Sequence, residues 1–77
     1  MPMNNEERVG YADYALTRYC LAKEGRGAYD HRTDEAADLI CDLLHLIRSF
    51  GGDPDQKLKT ALANFEAEEA DEAEGTA

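Results

Sequence analysis

Four polar side chains in the middle of this sequence are spaced to do chemistry. Glu35, Asp38, Asp42 and His45 follow one another at three- and four-residue steps. On a helix that spacing stacks them along one face, with Ser49 a turn further on. Carboxylates so arranged suit a hard divalent cation such as Mg²⁺, which takes oxygen ligands and keeps some of its water. Glu35, Asp38 and Asp42 are therefore the candidate metal ligands, while Asp42 with His45 would suit a transition metal. The competing reading is a solvated face that keeps an apolar helix in water. Neither His31 nor His45 forms a nucleophile–base pair in the sequence, and Ser49 and Thr17 lack an activating neighbour.

A second set of residues is suited to recognition. Tyr11, Tyr14, Tyr19 and Tyr29 lie in the first half of the chain, beside Arg18, Arg26 and Arg32. Tyrosine and arginine are the residue types that carry much of the binding energy at protein interfaces. Tyr11, Tyr14, Arg18 and Leu21, with Leu43 and Ile47 from the apolar stretch that follows, are the candidate interface. Gly25-Arg26-Gly27, with Tyr29 and Arg32, has the makings of a phosphate cradle. It follows a helical pattern rather than a strand, so it is no dinucleotide fingerprint. The alternative places Tyr19 in the core, the other tyrosines at its rim, and the arginines in ion pairs with Asp13, Asp30 and Asp34.

Three helices must position these groups. The first spans about residues 5–23, with Val9, Ala12, Leu16, Tyr19 and Cys20 on one face and Tyr14 and Leu21 on another ridge. Glu24 to Gly27 ends it. The second spans about 33–50, with Thr33 as its cap and Asp34 and Glu35 in its first turn. Its leucines, isoleucines and Phe50 cover an arc of about 160° on the helical wheel. That is wider than one neighbour needs, so this helix is the centre of the core, and Gly51-Gly52 closes it. The third spans about 54–69: Asp53 caps it, Pro54 takes its first position, and Gln56 completes a capping box. Leu58, Ala61, Leu62 and Phe65 line one face, and the apolar stripe stops there.

The sequence thus predicts an all-α chain, one domain over residues 1–69 with three helices in up-down order. Residues 70–77 are expected to form a disordered acidic tail. A chain of 77 residues buries little surface by itself, so a further stabilising element is expected. The surplus apolar arc of the second helix points to a homodimer formed through that helix, or to a partner protein in the same place. Cys20 and Cys41 lack metal-site spacing and a disulfide pattern, which predicts buried or half-buried free thiols and a cytoplasmic location. No stretch reads as a membrane span or a signal peptide. The net charge of −9 is concentrated after residue 65, where six acids stand with no base. Before it, eleven acids face eight bases. That balance argues against direct nucleic-acid binding. The acidic row either solubilises the chain or imitates DNA phosphates toward a nucleic-acid-binding protein.

The stretch Glu35–Glu66 reads E-A-A-D-L-I-C-D-L-L-H-L, then G-G-D-P-D-Q-K-L-K-T-A-L-A-N-F-E. It resembles the second half of a MazG-type all-α nucleotide pyrophosphohydrolase. The resemblance implies a helical oligomer that cleaves nucleoside triphosphates with Mg²⁺, with Glu35 and Asp38 as the E-x-x-D metal ligands. The family's E-E-x-x-E motif has one counterpart here, Glu6-Glu7-Arg8-Val9-Gly10, where glycine replaces the third acid. In size, acidity and composition the chain also resembles small phage, plasmid and integrative-element products that bind and inhibit host proteins. The missing acid favours a non-catalytic interaction protein of that accessory or anti-defence kind, with a protein partner and no cofactor. The alternative is a reduced Mg²⁺-dependent pyrophosphohydrolase.

Overall fold

A computed structural model of the chain describes residues 3–25 and 32–75, with side chains described as far as Glu72. Three helices account for nearly all of these residues: α1 (Asn5–Glu24), α2 (Arg32–Ser49) and α3 (Pro54–Gly75). No strand occurs among the described residues. The protein is all-α.

Local chemistry sets most of the helix ends. The side-chain oxygen of Asn4 accepts from the Glu7 N–H at 2.8 Å and so caps α1. At the other end Gly25 adopts φ 75° and donates its N–H to the Leu21 carbonyl. Gly51, at φ 83°, ends α2 in a Schellman turn: its own N–H goes to the Arg48 carbonyl and that of Gly52 to the Ile47 carbonyl. Both positions need the left-handed backbone that glycine alone adopts without strain. Asp53 then receives the N–H groups of Asp55 and Gln56 and opens α3, with Pro54 as first residue.

Two boundaries differ from the sequence expectation. α2 starts at Arg32, so Thr33 lies inside the helix rather than capping it. α3 runs on to Gly75, past the end expected at residue 69. Alanine and glutamate hold helix locally. Just before the extension, two contacts tie α3 to α1: Asn5 Nδ2 donates to the Glu68 carbonyl at 3.2 Å, and Arg8 pairs with the Glu68 carboxylate at 3.5 Å.

Each helix touches the other two, and α2 has the largest share of the contacts. The packing is nevertheless thin. Among the described residues only Leu16 and Cys20 are buried, both on α1. Val9 and Ala12, expected on the same face, are exposed, because the side-chain bonds from α1 to α2 gather further along, at Tyr19, Cys20 and Lys23. On α2 no residue is fully buried, although that helix carries most of the large aliphatic side chains. Cys41 is exposed, against the expectation of a sheltered thiol, while Cys20 is buried; neither forms a disulfide.

Candidate functional site

The acidic stripe of α2 is divided between different tasks. Glu35 turns toward α1, where the Cys20 thiol donates to its Oε2 at 3.2 Å. Its Oε1 is buried without a hydrogen-bond partner. Burial first, and the bond to Glu35 second, push the Cys20 thiol up from its ordinary value, so the sulfur stays protonated and serves as donor. Two turns along, Asp42 Oδ2 accepts from the Tyr19 hydroxyl at 2.5 Å and from Lys23 Nζ at 3.3 Å. Lys23 also donates to the Tyr19 oxygen at 2.8 Å, which closes a three-membered network between α1 and α2. The Tyr19 hydroxyl, and then the lysine, hold the Asp42 carboxyl below its ordinary value. Hydrogen bonds to Tyr19 and then Asp42 hold Lys23 above its own. The bond to Asp42 raises Tyr19.

Asp38 stays exposed between these two contacts. His45 lies with Cys41, Leu44 and Arg48 in a shallow cleft against Pro54. Among the described residues no three His, Cys, Asp or Glu side chains converge to hold an ion. Glu35, Asp38 and Asp42 share a helix face, with Glu35 turned to Cys20 and Asp42 to Tyr19 and Lys23. The hydroxyls of Ser49 and Thr17 donate to the Leu46 and Asp13 carbonyls of their own helices. Of the cradle formed by Gly25-Arg26-Gly27 with Tyr29 and Arg32, Arg26, Gly27 and Tyr29 lie outside the described residues, as does His31. Of the ion pairs expected for the arginines, Arg32 with Asp13 is formed.

Two surfaces remain that are apolar and open. On α1, Tyr11, Tyr14, Arg18 and Leu21 share a face opposite the buried Leu16 and Cys20. Tyr11 and Tyr14 are each 68% exposed, and with Glu7 they form a shelf around Gly10, which contributes no side chain. The other surface is a groove of about 460 Å³ between α2 and α3. Ile40, Leu43 and Ile47 form one wall, and Leu58, Leu62 and Phe65 the other. Phe50, the residue that follows α2, is 81% exposed. Leu43 and Ile47, the candidate interface residues of α2, thus sit in this groove and away from the tyrosines.

Sequence reasoning missed three participants. Lys23 follows Tyr19 by four residues, the spacing at which side chains meet on a helix, so that pair was open to inspection. Cys20 as the partner of Glu35 depends on how two helices cross and leaves no sequence signal. The α3 wall of the groove is visible in the sequence as a one-faced stripe, Leu58, Ala61, Leu62 and Phe65, with nothing to mark it as the wall of a groove. No protein-family model, curated protein or solved structure matches this chain.

Proposed function

We propose that the chain is a non-catalytic helical interaction protein, three helices in up-down order, that acts by presenting apolar surface to other proteins. One observation carries this: large side chains that a closed domain would cover stand open, Tyr11 and Tyr14 on α1, Ile40 and Leu43 on α2, Phe50 just after it, and Leu62 and Phe65 on α3. Exposed contiguous apolar surface of this kind marks interaction sites in soluble proteins. No described helix is long and apolar enough to cross a membrane. The tyrosine shelf, flanked by Arg18 and Leu21, has the residue types of a binding hot spot. Its partner is a host protein, in keeping with the resemblance to accessory and anti-defence products of mobile elements. An immobilised chain should retain a stoichiometric partner from a bacterial lysate, and the double variant Tyr11→Ala/Tyr14→Ala should lose it while keeping its helicity. Equal retention by both would sink the shelf as the binding site.

A second reading, the reduced Mg²⁺-dependent pyrophosphohydrolase of MazG type, is favoured by the buried, unpartnered Oε1 of Glu35. It would require Asp42 to leave Tyr19 and Lys23 and join Glu35 and Asp38. A Mg²⁺- or Mn²⁺-induced rise in melting temperature that disappears in Asp38→Asn, with pyrophosphate released from a nucleoside triphosphate, would establish it. Unchanged melting at millimolar metal would dismiss it.

A further inference from the structure

The chain exposes 6292 Å² of surface. A folded monomer of its 8.5 kDa mass exposes about 4,700 Å². The excess is roughly 1,600 Å², and a stable interface takes about 800 Å² from each partner. The radius of gyration agrees: it is 14.4 Å, against about 11.5 Å for a compact domain of this length. Half of that excess is one partner's share of a standard interface.

We infer that the groove between α2 and α3 is the seat of a second copy of this chain, in an isologous dimer. The inference rests on the binding reading above and names the occupant of one of its two surfaces. A fold with two buried side chains among its described residues needs its missing core from the time it is made. A host protein is not guaranteed to be present then, whereas another copy of the same chain is. The surface is also built for self-pairing. Its centre is aliphatic and aromatic, and the one charged side chain that lines it is Lys57. The six acids of the C-terminal segment all follow Phe65, outside the lining, so two copies can meet without opposing those carboxylates in the contact. In a two-fold pair the exposed ridge of Leu43 and Phe50 on one copy fills the groove of the other, and the reverse. The tyrosine shelf on α1 is not used and stays open for the different partner proposed above.

Sedimentation equilibrium of the full chain across a range of concentrations tests this, together with the melting temperature over the same range. The dimer predicts twice the chain mass at the upper concentrations and a melting temperature that rises with concentration. Phe50→Glu and Leu62→Gln alter side chains that are already exposed, and each should shift the equilibrium to monomer. Leu43→Asp should do the same or unfold the chain, and the milder pair keeps the experiment decisive if it unfolds. A mass near that of one chain at every concentration, with native helicity, overturns the proposal. So does a dimer that survives both groove variants but dissociates in Tyr11→Ala/Tyr14→Ala. Partner capture by the tyrosine shelf is scored separately, so the dimer can fail while the binding function stands, and the reverse.

Discussion

At the scale of single residues, two glycines have opposite effects on stability. Gly10 sits in the interior of α1, and a Cβ built there meets nothing within 4 Å. Glycine in an exposed helix interior costs about 1 kcal/mol relative to alanine. Gly10→Ala should therefore stabilise the fold by about that amount and raise the melting temperature by roughly 4–8 °C. Gly51 holds φ 83°, where an L side chain costs about 1–2 kcal/mol, so Gly51→Ala should lower it instead. Thermal melts of the two variants check both signs. The Tyr19–Lys23–Asp42 network makes a separate prediction in pH. The carboxyl of Asp42 lies below its ordinary value, so it stabilises the fold above about pH 4. That stability is lost as pH falls through the lowered folded value. Lys23 is raised, so its contribution is present below about pH 10 and lost as pH rises through the folded value. Tyr19, also raised, acts in the same alkaline direction. Asp42→Asn should flatten the acid limb of a stability–pH curve, and an unchanged acid limb would mean that the network adds nothing to folding. All three side chains are partly open to solvent, so the effect should be modest.

At the scale of elements, the end of α3 separates helix formation from docking. The extension beyond Phe65 is helical but touches α1 through Glu68, by way of Asn5 and Arg8. Truncation after Glu69 keeps those contacts and should leave the melting temperature within a few degrees, with some loss of helical circular dichroism. Truncation after Phe65 removes them and should cost more; equal melting of the two forms would show that the contacts to Glu68 carry no stability. The same helix shows what was legible beforehand. Its start was readable because Asp53, Pro54 and Gln56 are local signals acting on adjacent N–H groups, and the glycine stops of α1 and α2 were readable for the same reason. Its end was only partly readable: the apolar stripe stops at Phe65, and alanine and glutamate carry the helix on to Gly75, past the frayed turn expected up to about residue 71. The start of α2 was misplaced because Thr33 has the chemistry of a cap without occupying the position. Of the candidate site, the shared face of Glu35, Asp38 and Asp42 could be read from spacing. That Glu35 meets Cys20 and Asp42 meets Tyr19 depends on the crossing of α1 and α2, which spacing within one helix does not encode. The wide apolar arc of α2 was legible as a surplus, and the structure places Ile40, Leu43, Leu44 and Ile47 of that arc in the groove with α3.

At the scale of the whole molecule, the charge and the apolar groove act in opposite directions on the dimer. Each chain carries a net −9, so two copies repel one another as they approach, while the groove itself offers an almost uncharged contact. The range of that repulsion is set by salt. At about 0.01 M ionic strength the screening length is roughly 30 Å, comparable with the 42 × 31 × 22 Å extents of the chain, and most of the charge on one copy is felt by the other. At about 0.15 M it shrinks to roughly 8 Å, and only charges near the rim still interact. Burial of apolar surface changes little over that interval. The dimer should therefore tighten as sodium chloride rises from low to physiological concentration, which is opposite to the behaviour of a complex held by ion pairs. Sedimentation equilibrium at the two ionic strengths measures the dissociation constant directly. A dimer that loosens with salt would mean that opposite charges join the copies. It would move the interface out of the α2–α3 groove, toward surfaces where Arg8, Arg18 or Arg48 of one copy could reach the acids of the other.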